Sequence, residues 1–172
     1  MISEKMIESL NRQINREIFS AYLYLGMNAY ALSIGVQGIA NWFSVQAKEE
    51  LCHAQIIFNY VNQQGGRVVL EALETPEQDF SSVTELFQKT LGHEKQVTAM
   101  ISNLVTLARE EKDYATESFL QWFVTEQVEE EANPTDILQK LNLFGESGEA
   151  LYRLDTELGQ RVFTLPQSLA QA

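Results

Sequence analysis

Glu50 and His53 stand three residues apart in the run Glu49-Glu50-Leu51-Cys52-His53, a spacing that puts both on one face of a helix. That face is otherwise apolar. Phe43, Glu50 and Ile57 follow one another at sevens, with Ala47, Ala54 and Val61 beside them. An unpaired carboxylate there costs several kcal/mol, and no Lys or Arg shares the stripe. The same anomaly recurs three times. Glu17 falls in the stripe Leu10, Glu17, Tyr24, Ala31, and Glu94 in Phe87, Glu94, Ile101, Ala108. Glu130 follows Leu120, Phe123 and Gln127 and precedes Ile137. A single glutamate on a helix is ordinarily solvated; four on core stripes, with an imidazole beside one, form a ligand set. With His53 and Gln127 neutral, the four carboxylates carry a charge that two divalent cations, or an oxo-bridged pair of trivalent ones, would cancel. Mixed carboxylate and imidazole ligation suits iron, whereas zinc favours Cys or more His. One glutamate, Glu50, is expected to bridge the two ions. Adjacent ferrous ions can pass electrons to O2 or peroxide, so the expected reaction class is ferrous oxidation.

These side chains need long helices to carry them. The first is expected from about Ser3, a candidate N-cap, to about Ser33, and the second from about Gln37 to Gln64, ending at Gly65-Gly66. The stretch from Gly65 to Ser81 contains Pro76 and the apolar patch Val68-Val69-Leu70. A helix of about 28 residues is about 42 Å long, and about 17 extended residues reach about 55 Å. This stretch is therefore long enough to cross the bundle and make the second and third helices run the same way. Ser82-Val83-Thr84-Glu85 reads as a capping box opening the third helix, and Asp113 as the cap of the fourth. Asn133-Pro134 is expected to break the fourth helix locally, because Pro134 cannot donate to the carbonyl of Glu130. A short fifth helix follows over about 147–159, then a tail over 160–172. No strand pattern appears. The fold class is all-α: an up-down four-helix bundle over about 3–144, with one long crossover and a short C-terminal helix, in a single domain of 1–172.

Composition narrows the function. The 172 residues carry a net charge of −12 with 24 acidic side chains, which opposes a nucleic-acid partner and supplies ligands for hard cations. One cysteine excludes an internal disulfide and fits a reducing compartment. No signal peptide or membrane-length apolar run is evident, so a cytoplasmic location without a membrane partner is expected.

The spacing also repeats. Glu17 to Glu50 and Glu94 to Gln127 are both 33 residues, and Glu50/His53 and Gln127/Glu130 are both i, i+3 pairs. A shift of 77 maps one helical hairpin onto the other, although Asn41-Trp42-Phe43 and Gln121-Trp122-Phe123 align at 80.

One Glu on the first helix, Glu-x-x-His on the second, Glu on the third and Gln-x-x-Glu on the fourth resemble the ferritin family, closest to non-haem bacterial ferritins. The resemblance covers nearly the whole chain. It implies that Glu17, Glu50 and His53 hold one iron and that Glu50, Glu94 and Glu130 hold a second. Gln127 would hydrogen-bond nearby. It further implies a third iron site lined by Glu49, Glu126 and Glu129 with Glu130 shared, and a functional tyrosine at Tyr24. A shell of 24 subunits storing ferric mineral, with Fe(II) and O2 or hydrogen peroxide as substrates, completes the expectation. Haem is not expected: the fourth helix lacks a second Glu-x-x-His, and Leu51-Cys52 stand where a haem-binding relative has methionine. Starved-cell mini-ferritins place iron between subunits, which would leave Glu94 and Glu130 buried without purpose. The alternative is a rubrerythrin-like di-iron oxidase or peroxidase without a storage cavity. Such proteins often carry an added Cys-rich iron site, which one cysteine cannot build. Trp42 and Trp122 read as packing, His93 as structural or exposed, Cys52 as no ligand, and Glu117 as a candidate lining of an iron channel.

Overall fold

The computed structural model describes residues 2–170; the first residue and the last two of the expected tail lie outside it. Four long helices form the bundle: α1 Glu4–Ser33, α2 Gln37–Gln63, α3 Val83–Glu110 and α4 Tyr114–Phe144. Two short ones follow, α5 Gly148–Leu158 and α6 Gln167–Ala170, the last within the expected tail. No strand occurs among the described residues.

The start of each helix has a chemical cause. The Ser3 hydroxyl accepts from the amide of Met6 at 3.0 Å, the Ser82 hydroxyl from that of Glu85 at 3.0 Å, and Asp113 from that of Thr116 at 3.1 Å. The expected capping box is only half formed. The Glu85 carboxylate reaches one residue further back, accepting from the amide and hydroxyl of Ser81 at 2.6 Å each. The amides of Val83 and Thr84 donate instead to Glu146, beyond the end of α4, at 3.2 and 2.8 Å. Val36, ahead of α2, has no capping side chain. Asp155 of α5 does that work, its carboxylate accepting from the amide of Ile39 at 2.8 Å. Gly38 permits the approach, since a Cβ there would lie 1.7 Å from the Asp155 carbonyl oxygen.

Two apolar clusters occupy opposite ends of the bundle. One joins the end of α1, the starts of α2 and α3, the end of α4 and α5, through Met27, Phe43, Phe87, Ile137 and Leu154. The other joins the opposite ends through Leu10, Ile57, Ile101 and Phe123. The starts of α2 and α3 therefore share one end, and the two helices run the same way. The crossover lies along α1, pinned by two asparagines one turn apart. Asn11 accepts from the amide of Val69 and donates to the carbonyl of Arg67, both at 3.0 Å. Asn15 accepts from the amide of Glu71 at 2.7 Å and donates to the carbonyl of Val69 at 2.9 Å.

The expected break at Pro134 does not occur. Helix α4 runs unbroken from Tyr114 to Phe144 with Pro134 buried inside it. The proline forfeits its own hydrogen bond to the Glu130 carbonyl, but Glu130, Ile137 and Leu141 are buried on the same face across it and keep the helix continuous. Packing outweighs one missing bond.

Candidate metal centre

Between the two apolar clusters lies a buried polar layer. Glu17 and Glu94 are 1 % exposed, Glu50 2 %, His53 3 %, and Gln127 and Glu130 5 %. Each bundle helix delivers one carboxylate from the middle of its core stripe, where four stripes converge. Three sets of ligand atoms lie within 4.8 Å of one another: Glu17, Glu50 and His53; Glu50, Glu94 and Glu130; and His53, Glu126 and Glu130. Glu50 belongs to the first two sets, as His53 and Glu130 each belong to two.

The surroundings orient the ligands without neutralising them. Gln13 donates to Glu17 at 2.7 Å, Gln46 to Glu130 at 2.5 Å and to Glu50 at 3.4 Å, and the Tyr24 hydroxyl to Glu94. Gln127 donates to the Glu94 carboxylate at 3.4 Å and carbonyl at 3.3 Å, and to the Thr98 hydroxyl at 3.2 Å. The Nδ1 of His53 lies 3.3 Å from Glu50, and its Nε2 lies 3.9 Å from Glu126. These bonds are insufficient. Burial, and then the charge of Glu50, push Glu17 up to about 8; burial, and then Glu94, push Glu130 up to about 8. Burial raises Glu94 to about 7, and burial with Glu94 and Glu130 raises Glu50 well above the carboxylate range. The remaining oxygen of Glu17, Oε2, is buried with no hydrogen-bond partner at all. An orphaned carboxylate oxygen aimed into a ring of carboxylates and one imidazole fits a cation.

This architecture recurs among known proteins. The model of the ferritin-like domain matches residues 7–144. The chain belongs to the ferritin-like family. A bacterial non-heme ferritin of Staphylococcus aureus is 45% identical over 163 residues, 95% of this chain and 98% of that protein. A probable bacterial non-heme ferritin-like protein of Haemophilus influenzae is 43% identical over 92% of this chain and 96% of that one. Among solved structures, an open-pore ferritin from Archaeoglobus fulgidus is 53% identical with a TM-score of 0.93, covering 94% of this chain and 100% of that chain.

Within this ferritin-like bundle the outer carboxylates divide. Glu126 joins a ligand set with His53 and Glu130. Glu49 instead pairs with Arg161 of the tail at 2.5 Å, and Glu129 is exposed and joins none of the ligand sets. Trp122 sets its ring edge against His53, centroids 5.5 Å apart, so it packs directly on a ligand. His93 is buried between the Ser20 hydroxyl at 2.7 Å and Arg16 at 3.4 Å. Burial and Arg16 hold it neutral, down to about 3. An arginine only donates, so Nδ1 accepts and Nε2 carries the proton toward Ser20. Glu117 is ion-paired with Arg109 at 2.6 Å, and Cys52 joins none of the ligand sets. Sequence reasoning overlooked Gln13 and Gln46, 3 % and 0 % exposed. Each stands four residues before a ligand, and the two are themselves 33 apart, so the same repeat that relates Glu17 to Glu50 carried the signal.

Proposed function

We propose that this chain stores and detoxifies iron, oxidising Fe(II) at a paired site within one subunit and depositing ferric mineral inside an oligomeric shell. The observation that carries the reading is Glu50, buried and common to two sets of ligand atoms, one with Glu17 and His53 and one with Glu94 and Glu130. Similarity to bacterial non-heme ferritins over nearly the whole length supports iron as the substrate and no haem. In this reading Glu17, Glu50 and His53 receive one Fe(II), and Glu50, Glu94 and Glu130 the other. Two Fe(II) yield two electrons, which take O2 to hydrogen peroxide or hydrogen peroxide to water. Tyr24 and Gln127 hold Glu94, and Gln46 holds Glu130, so the acceptors meet the ions already oriented. The apolar clusters above and below exclude water from the pair. Glu126, with His53 and Glu130, offers a third position on the outer side. Glu129 is the neighbouring carboxylate to which the oxidised ion would pass. No described helix is long and apolar enough to cross a membrane.

Stopped-flow absorbance after aerobic Fe(II) addition tests this directly. The wild-type chain should show a fast phase that Glu50→Ala abolishes; equal fast phases in both would end the paired-site account. Sizing separates storage from a rubrerythrin-like oxidase. Twenty-four copies of a 19.5 kDa chain make a particle of about 470 kDa, whereas a dimer or tetramer would point to the oxidase.

A further inference from the structure

Arg161 lies beyond α5 and returns to the outer side of the metal centre. Its carbonyl accepts from Asn41 at 2.9 Å, and its guanidinium lies over the Trp42 ring, 4.6 Å from the centroid. From there Nη1 donates to Gln46 Oε1 at 2.7 Å and Nη2 to Glu49 at 2.5 Å. Both charged side chains are about one-fifth exposed, at 21% and 22%. The arrangement has two consequences. A guanidinium has only donors, so it turns the Gln46 oxygen outward and the Gln46 amide hydrogens inward, onto Glu130 and Glu50. It also seats a positive charge against Glu49, whose carboxylate lies close enough to His53, Glu126 and Glu129 to feel their charges.

We propose that Arg161 is a positioning residue serving as a tethered counter-ion to the outer carboxylates, one that a third metal ion must displace from Glu49 before binding beside the pair. The proposal rests on the paired-site reading above. It explains why Glu49, alone among the carboxylates facing this side, is held by a cation of the chain itself. The tail then decides how readily the outer position fills, and through Gln46 it also helps to orient two carboxylates of the inner pair. A guanidinium on an aromatic face with two charge-assisted partners is held in place, yet its partial exposure leaves it displaceable.

Anaerobic titration of the full-length protein with Co(II), followed by equilibrium dialysis and visible absorption, tests the idea without turnover. Wild type should bind two Co(II) per chain tightly and a third weakly. Arg161→Gln should bind the third about five- to tenfold more tightly, the scale of one half-buried charge-assisted contact, a gain larger than the change in the first two. Adding Glu49→Gln to that variant should remove the gain, and Arg161→Lys should behave as wild type. Arg161→Met, which keeps the stem over Trp42, serves equally if the glutamine variant folds poorly. A third-ion affinity indifferent to both neutral substitutions would overturn the proposal. So would a gain that survives Glu49→Gln, or a lysine variant that behaves like the glutamine one. Failure of the wild type to bind the first two ions would instead refute the paired-site reading, and this proposal with it.

Discussion

Glu17→Gln separates the cost of the metal centre from its use. Glu17 is buried, its Oε2 has no partner, and burial and Glu50 lift it from 4.5 to about 8. A carboxyl whose folded value is raised binds its proton more tightly in the folded chain. The stability this confers is fully present below 4.5 and is lost as pH rises through about 8. Glutamine copies the protonated form at every pH and can donate toward Glu50 where the carboxylate repels it. Relative to wild type in the presence of chelator, the variant should therefore gain little near about pH 5. It should gain about 3 kcal/mol more at about pH 7.5, from about 1.4 kcal/mol per unit of displacement. With a divalent metal in excess the order should reverse, because the variant has lost an anionic ligand and with it part of the stabilisation that metal binding supplies. Guanidinium unfolding midpoints at fixed protein concentration, at both pH values and with and without Co(II), provide the measurement. A stability difference that is the same at both pH values would refute the claim that Glu17 is a charge-strained ligand.

Further outcomes follow from the same geometry. Glu129→Ala, at an exposed position outside the ligand sets, should leave the first fast phase of Fe(II) oxidation intact and alter only later turnover, read by repeated Fe(II) additions in stopped flow. Pro134→Ala should stabilise the chain by about 1 kcal/mol or more by restoring an amide donor inside an unbroken helix, seen as a raised denaturation midpoint with unchanged fast oxidation. Asp155→Ala should cost about 1 kcal/mol by uncapping α2, and amide hydrogen exchange should quicken at Ile39 while remaining protected near Glu50.

The helices and the inner buried carboxylates were legible because they obey one period. Residues at sevens on a straight helix share a face, so Glu17, Glu50, Glu94 and Glu130 betrayed themselves as charges among apolar neighbours. What escaped depends on contacts between distant segments. Nothing local to α2 says that Asp155 caps it or that Arg161 reaches Gln46 and Glu49, more than a hundred residues away. Pro134 misled for the opposite reason. Its local rule was sound, but the rule counts one lost hydrogen bond and takes no account of the buried face that Glu130, Ile137 and Leu141 share across it. The Glu85 carboxylate takes the amide and hydroxyl of Ser81, while Glu146, more than sixty residues away in sequence, accepts from the first amides of α3.

The placement of the centre also bears on how folding and iron binding are linked. No two of the four inner carboxylates come from the same helix, so no single helix or hairpin can assemble the site. All four helices must dock, and each apolar cluster already draws on all four of them. The clusters can therefore close the bundle from both ends while the carboxylates between them take up protons, Glu17, Glu94 and Glu130 at about 8, 7 and 8. A metal-free chain of this kind folds with its ligands largely protonated near neutral pH. A cation bound there would expel those protons, so metal affinity should rise with pH across the interval in which the metal-free bundle weakens. Protons and iron compete for the same oxygens, and whichever is bound satisfies a cavity that the apolar ends hold shut.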